Sequence, residues 1–303
     1  MVKPFDLQVN GYAGADFCSV NLTAEQLHEA CRALKDDGVH GILVTLITDK
    51  VEKLVQKLVN LVRFREEDDA VRAMVAGFHV EGPFLNPKAG FIGAHEPQFV
   101  RPANLDDAKR LLDAGGGLVK LFTLAPEQDE GAAATRFLTA EGVTVSAGHC
   151  DPSLDQLQES MDNGLTMVTH FGNGCPVELP RHDNVLQRFL FLREKLWFCF
   201  IPDGAHVEFP ALRNYLDLVG IDRSIITGDA MSAARLGPGL HQISGITVEV
   251  DDRGVARRPG SPNLAGSTIT FPQILSNLES ELGLEESEIE KLVDLNPRKA
   301  LSI

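Results

Sequence analysis

Four short stretches of this sequence join an apolar run to residues that bind metals or move protons. They are His79-Val-Glu81-Gly-Pro83, Ser146-Ala-Gly-His149, Thr169-His170 and Thr227-Gly-Asp229. A glutamate with two histidines is a donor set for a tetrahedral metal site that keeps a fourth position open for water. An aspartate beside that set, outside it, is placed to take a proton from the water. Each residue alone has an ordinary reading. A histidine after a strand usually satisfies a backbone group, Glu81 fits a solvated loop, and Asp229 fits a helix cap. Four of them at the ends of four apolar runs read instead as one hydrolytic metal centre. His79 alternates with Glu81 and shares its face, but is read as a core histidine. Lys120 begins its run, the wrong end for a carboxylated metal-bridging lysine, and is set aside.

Residues so far apart in sequence need a scaffold that gathers strand ends. Strand-like runs fall at Phe5–Val9, Ile42–Ile47, Met74–Val80, Val119–Leu124, Val143–Ala147, Met167–Thr169, Trp197–Ile201 and Ile225–Thr227. Helical patterns separate most of them. Thr23-Ala-Glu-Gln26 is a capping box opening a helix that stops at Gly38. Leu105–Ala114 and Ser153–Asn163 stop at glycines in the same way. Eight strands alternating with helices predict an α/β fold of the (β/α)8 TIM type, whose active sites sit at the C-terminal strand ends. A doubly wound sheet is the runner-up. Its glycine-rich phosphate turn is only loosely matched by Asn10-Gly-Tyr-Ala-Gly14. Ile243–Val250 followed by Asp251-Asp-Arg-Gly254 reads as a β-hairpin, an insertion over about residues 240–258. Two helices, about Thr268–Leu282 and Glu285–Leu295, close a single domain over residues 1–303.

The 303 residues are 44% hydrophobic and 23% charged, which fits a globular chain with a full core. The net charge of −15 argues against nucleic-acid or anionic-membrane partners. Any phosphate must be held by local cations and backbone amides. Five cysteines without a CxxC pair fit a reducing compartment. With no apolar run near the roughly 20 residues of a membrane span and no signal-peptide pattern, a cytoplasmic location is expected.

The residues also carry a family likeness. The chain resembles the N-acetylglucosamine-6-phosphate deacetylases of the amidohydrolase superfamily. The matching segments are Asp6-Leu-Gln-Val-Asn-Gly11, His79-Val-Glu-Gly-Pro-Phe-Leu-Asn-Pro87, Gly93-Ala-His95, Leu124-Ala-Pro-Glu127, Val145-Ser-Ala-Gly-His149, Thr169-His170, Asp203-Gly-Ala-His206, Leu264-Ala-Gly-Ser-Thr268 and Asn296-Pro297. They run in the family's order along nearly the whole chain. The resemblance implies Glu81, His149 and His170 as metal ligands and Asp229 as general acid and base. It implies His95 as the group polarising the acetyl carbonyl, and His206, Asn173 and Arg181 as sugar-phosphate contacts, with Gly174 adding a backbone amide. It further implies that Arg181 reaches a neighbouring subunit's site in a homodimer. The family usually has a second, small β-sandwich domain. This chain starts almost at its first strand and stops soon after Asn296-Pro297, so the barrel alone is expected.

The expected reaction is metal-dependent hydrolysis of the acetamido group of N-acetylglucosamine 6-phosphate, giving glucosamine 6-phosphate and acetate. One divalent ion per chain is expected, zinc first, with iron or another divalent metal as alternatives. Gln8 and Asn10 stand where many amidohydrolases have a His-x-His pair. Carboxamides are poor ligands for a second such ion. The loop Phe171-Gly-Asn-Gly-Cys-Pro176 replaces the family's usual Leu-(aromatic)-Asn-Ala-Met run. Two other readings therefore stand beside the first: an amidohydrolase for a different amide or N-acetylated sugar phosphate, and a non-catalytic sugar-phosphate-binding barrel.

Overall fold

Side chains alternate across a strand, and in a closed barrel one set must fill the interior while the other packs on helices. The computed structural model describes residues 2–243, 246–260 and 263–303 and shows this arrangement. Eight parallel strands form one sheet in sequence order: β1 (Phe5–Val9), β2 (Gly41–Ile47), β3 (Val75–Glu81), β4 (Val119–Leu124), β5 (Thr144–Ala147), β6 (Leu165–Val168), β7 (Trp197–Phe200) and β8 (Ser224–Ile226). The TIM-type barrel expected from the eight runs is present, with strand ends moved by one or two residues. The outward set, including Ile42, Val44, Phe78, Val80, Phe122, Val145 and Phe198, packs with the helices in the main core.

The inward set changes character along the barrel axis. At the N-terminal end Phe5, Leu7, Leu43, Leu121, Met167, Trp197, Cys199 and Ile225 form an apolar plug. One step on, Thr45, His79, Thr123, Ser146 and Thr169 form a buried polar belt. His79 bonds Thr45 through Nδ1 (3.2 Å) and Thr123 through Nε2 (2.8 Å), and Thr169 bonds both Thr123 (2.7 Å) and Ser146 (2.6 Å). Burial pushes the His79 imidazole down to about 4, so it is neutral at pH 7. His79 is thus a core histidine, and the layer above the belt holds the ligand candidates. Lys120 points away, its Nζ on the Gly117 carbonyl oxygen.

The ring closes between β8 and β1 through side chains. Asp6 accepts from the Thr227 hydroxyl, from the Gly228 N–H (2.9 Å) and from the Gln8 N–H (3.0 Å). Val9 bridges Ala230, whose carbonyl oxygen accepts from Asn10 and Gly11. The helices end where their caps require. Thr23 and Ser153 form the capping boxes of Ala24–Asp36 and Leu154–Asp162.

The expected hairpin is real but belongs to a three-stranded antiparallel sheet, β9 (Gly239–Ile243), β10 (Ile246–Val250) and β11 (Ala256–Arg257). The turn Asp251–Gly254 joins β10 to β11. Ser244 and Gly245, inside the expected run, lie outside the described residues. Val248, Val250 and Ala256 pack this sheet on Met231 and Ala233, just after β8.

The chain's end departs from expectation. The first closing helix begins at Phe271 rather than Thr268. The second does not stop at Leu295: Glu286–Glu290 runs through a π-helical turn, Lys291–Leu295, into a further helix, Asn296–Leu301. Pro297 directly follows the π-helical turn, and the backbone at Leu295 and Asn296 before it is already helical. No helix among the described residues is long and apolar enough to cross a membrane.

Because Asp6 accepts from Thr227 and Gly228 across the β8–β1 seam, where no ladder joins the two strands among the described residues, and from Gln8 in its own strand, Asp6→Asn turns a donor toward groups that themselves donate. We expect a loss of about 1–3 kcal/mol, read as a lower urea midpoint at unchanged slope.

Candidate functional site

The ligand candidates meet at the C-terminal rim because four strands deliver them there. Glu81 is the last residue of β3; His149 follows β5, His170 follows β6, and Asp229 follows β8 by three positions. All four are buried. His149 (φ 50°), His170 (φ 30°) and Asp229 (φ 47°) have left-handed backbone, three of only seven non-glycine residues among those described to do so. Such conformations cost roughly 1–3 kcal/mol each and gather at functional sites. Here the turn after each strand bends so that the side chain leans over the barrel mouth.

Glu81 is the hub. Its Oε1 lies 3.0 Å from His170 Nε2 and 3.4 Å from His149 Nε2, and its Oε2 accepts from Gln8 Nε2 at 3.1 Å. Burial opposes ionisation, but the two imidazoles outweigh it and hold the carboxyl well below its usual range. His149 donates from Nδ1 to the Phe91 carbonyl oxygen (2.8 Å). In its neutral form this leaves a lone pair on Nε2, aimed at a carboxylate oxygen. A cation held between Nε2 and the carboxylate oxygen would satisfy both lone pairs. His170 Nδ1 is buried without a partner among the described residues. Donor set, tautomer and burial therefore fit a divalent metal ion.

His95 joins this cluster from the Glu81–His95 loop. One donor atom each from Glu81, His95 and His149 lies within 4.8 Å of the others. The His95 and His149 rings stand edge to face 4.4 Å apart, as do those of His149 and His170 at 4.8 Å. His95 Nδ1 is 2.9 Å from the Thr48 hydroxyl, which leaves Nε2 for the site. Burial, then His149, pushes His95 down to about 3, so the ring is neutral. Two glycines wall in His149: a Cβ on Gly93 (φ 60°) would lie 2.7 Å from its Cε1, and one on Gly174 (φ 63°) 3.0 Å from its Nδ1.

Asp229 Oδ1 accepts from Asn10 Nδ2 at 2.6 Å. Burial, then the Glu81 carboxylate, pushes its carboxyl up to about 6. Gln8 and Asn10 each donate to one of the site's carboxylates. Phe5 and Leu7 of the same strand fill the plug, and a register shift between Asp6 and Val9 interrupts the alternation so that Gln8 also turns inward.

These residues floor a cavity of about 530 Å³. Asn173, Gly174 and His206 line it, as expected of substrate contacts. Asp203 orients His206, accepting from its Nδ1 at 2.6 Å while also accepting from the Ser267 hydroxyl at 2.9 Å. Burial opposes the charge of Asp203, but the His206 bond holds its carboxyl down at about 2. Arg181 is exposed and does not line the cavity of its own chain. Sequence reasoning passed over Thr48 and Asp203. Asp203 stands three residues before His206, the one local signal available.

No family model matches the chain. Known proteins do. The N-acetylglucosamine-6-phosphate deacetylase of Bacillus subtilis is 28% identical over 304 residues, covering 98% of this chain and 74% of that protein. The N-acetylgalactosamine-6-phosphate deacetylase of Escherichia coli O157:H7 is 26% identical, covering 98% of this chain and 77% of that protein. The Mycobacterium smegmatis N-acetyl-D-glucosamine-6-phosphate deacetylase, solved as a mutant in complex with N-acetyl-D-glucosamine-6-phosphate, superposes with a TM-score of 0.90. It is 27% identical and covers 100% of this chain and 77% of its own. The chain is a homologue of the N-acetylglucosamine-6-phosphate deacetylases, and its fold is that of the amidohydrolase superfamily.

Proposed function

We propose that this protein is a metal-dependent deacetylase that hydrolyses N-acetylglucosamine 6-phosphate to glucosamine 6-phosphate and acetate. The observation that carries the reading is the convergence of Glu81, His149, His170 and Asp229 on one rim, three of them on strained backbone. A non-catalytic binder has no use for a buried carboxylate beside the ligand set. Glu81, His149 and His170 hold one divalent ion, with zinc expected; once bound, it supplies Lewis acidity and a hydroxide nucleophile at neutral pH. Gln8 and Asn10 donate to Glu81 and Asp229, and a carboxamide oxygen is a weaker ligand than imidazole, which supports a single tightly held ion.

Asp229 in its carboxylate form accepts the proton of the attacking water and returns it to the departing amine, which cannot leave as an anion. His95, neutral and held by Thr48 at Nδ1, turns Nε2 to the site; with its proton there it would hydrogen-bond the acetyl oxygen as charge develops. His206, Asn173 and the Gly174 N–H hold the sugar phosphate. Arg181, outside its own cavity, serves the partner's cavity in a homodimer. Five free thiols, four of them buried, are consistent with a single-domain cytoplasmic enzyme.

A second reading of the substrate rests on the loop after His170. Cys175, Pro176, Val177 and Leu179 give the cavity an apolar side wall. Acetate release should therefore be measured on N-acetylglucosamine 6-phosphate, N-acetylgalactosamine 6-phosphate and unphosphorylated N-acetylglucosamine. Preference for the first supports the proposal, and no release from any of them refutes it.

Two results should accompany that assay. His149→Ala and His170→Ala lose both the metal, by elemental analysis, and hydrolysis, while the circular dichroism of the barrel is kept; full activity in a metal-free variant refutes the ligand assignment. Asp229→Asn keeps the ion but lowers kcat by about 10²–10⁴-fold. In the native enzyme the acid limb of kcat/KM lies at or below pH 6, activity rising with pH as Asp229 loses its proton, because a bound cation can only lower its value from about 6.

A further inference from the structure

Two of the matched segments hold groups that the reaction leaves unused: Asn86 in the segment at 79–87 and Glu127 in the segment at 124–127. Neither lines the cavity, nor does any residue of β4 or of the turn after it. Asn86 and Glu127 bond to each other instead. Asn86 Nδ2 donates to Glu127 Oε1 at 2.7 Å, and the Asp151 N–H donates to the same oxygen at 2.6 Å. Asn86 is buried, and burial raises the Glu127 carboxyl above its ordinary range. Its Oε2 is buried without a partner among the described residues. What this side chain contributes is therefore the pair of bonds at Oε1.

Those bonds meet at His149. The backbone N–H of Asn86 donates to the His149 carbonyl oxygen at 3.0 Å, and Asp151 lies two residues beyond. Glu127 thus grips the left-handed turn at His149 (φ 50°) twice, directly at Asp151 and through Asn86 at His149 itself. Asn86 also begins the loop that orients the ligand ring. Its Oδ1 accepts from the Lys88 N–H at 2.9 Å, and three residues on, the Phe91 carbonyl oxygen accepts from His149 Nδ1 at 2.8 Å. On the other side of the turn Arg188 Nη1 donates to Asp151 Oδ1 and to the Pro152 carbonyl oxygen, both at 2.9 Å. One oxygen of Glu127 therefore sets the spacing between the turn that carries the ligand and the loop that aims it.

We propose that Glu127, acting through Asn86 and Asp151, is a positioning residue for metal binding: it holds the strained turn so that His149 Nε2 points at Glu81 Oε1. The proposal rests on the reading of Glu81, His149 and His170 as ligands, and adds the group that keeps one of them aimed.

The test compares the native protein with Glu127→Leu, Glu127→Gln and Asn86→Asp, using zinc and cobalt(II) as probes. Zinc affinity is read by competition with a chromophoric chelator, ligand geometry by the visible absorption of the cobalt-loaded protein, and folding by urea. Glu127→Leu removes both accepted bonds. Loss of a group that orients a metal ligand costs about 10–100-fold in affinity, and that loss, with an altered cobalt spectrum, is the expected result. Glu127→Gln keeps an oxygen for both N–H donors. Its affinity and spectrum should stay native, although its buried amide nitrogen lowers the urea midpoint. Asn86→Asp keeps the acceptor for Lys88 but turns an oxygen toward Glu127, and should weaken zinc binding as Glu127→Leu does. A group that only stabilised the fold would lower the urea midpoint and leave affinity and spectrum native in all three variants, and that result overturns the proposal. So does Glu127→Gln binding as weakly as Glu127→Leu. If Glu127→Leu does not fold, Asn86→Asp decides by the same measurements. If the native protein binds neither ion, the ligand reading fails separately. Amide hydrogen exchange over residues 148–151 then decides the positioning role, with faster exchange in Glu127→Leu and Asn86→Asp supporting it and native rates refuting it.

Discussion

A carboxylate buried in a barrel is the constraint around which this molecule is arranged. Glu81 lies where ionisation is costly unless every lone pair finds a donor or a cation. Its compensation comes from Gln8 on β1, His149 after β5 and His170 after β6, so four strands must close to within hydrogen-bond reach for one charge to be tolerated. The layer beneath serves the same end. Hydroxyls and the neutral His79 form a layer between the charged mouth and the apolar plug. This gradient from plug to belt to ligands is written along single strands, as in Leu43 and Thr45 on β2, or Leu121 and Thr123 on β4.

Strain concentrates where function is proposed. The left-handed turns at His149, His170 and Asp229 disfavour the fold, and each persists because its surroundings leave no alternative. For His149 these are the Phe91 carbonyl and the close backbone of Gly93 and Gly174. For Asp229 the brace is Asp6, which ties Thr227 and Gly228 to β1 immediately before the turn. The short β8, only three residues long, is thereby compensated by side-chain bonds. Barrel closure and the aim of the proposed general base thus depend on the same carboxylate.

Period-two alternation and helix caps are local signals, and what depended on them could be read from residues alone. The eight strands, the Thr23 and Ser153 capping boxes and the rim positions of Glu81, His149, His170 and Asp229 were legible for that reason. What depended on tertiary pairing was not. Nothing local ties Thr48 to His95, 47 residues apart, or Arg258 to Ala94, 164 apart. The exposure of Arg181 and the continuation of helix past Leu295 were equally hidden. The first is set by how the loop after His170 lies on the surface, and the second by the π-helical turn that leads the chain into Pro297. Ser267, which tethers Asp203 and through it His206, sits in the matched segment Leu264–Thr268, yet its partner is invisible without the fold.

The division of labour between strands and loops follows from stiffness. Groups whose geometry the reaction requires within fractions of an ångström stand at strand ends, where ladder bonds on both sides fix the backbone. Groups that distinguish one substrate from another stand on segments able to vary without disturbing the barrel: Phe171–Pro176, the Glu81–His95 loop and the insertion around Arg258. The loop Phe171–Pro176, which departs from the run the family resemblance leads one to expect, falls in the second set. An acidic protein that handles an anionic ligand must place its few useful cations with care, because a distant lysine is screened within about 10 Å at moderate salt. Arg258 is used differently: its ion pair with Glu96 and its bond to Ala94 fasten the insertion to the loop bearing His95. The placement of His95 is therefore tied to the insertion through one side chain, so loop and insertion hold each other at the mouth of the cavity.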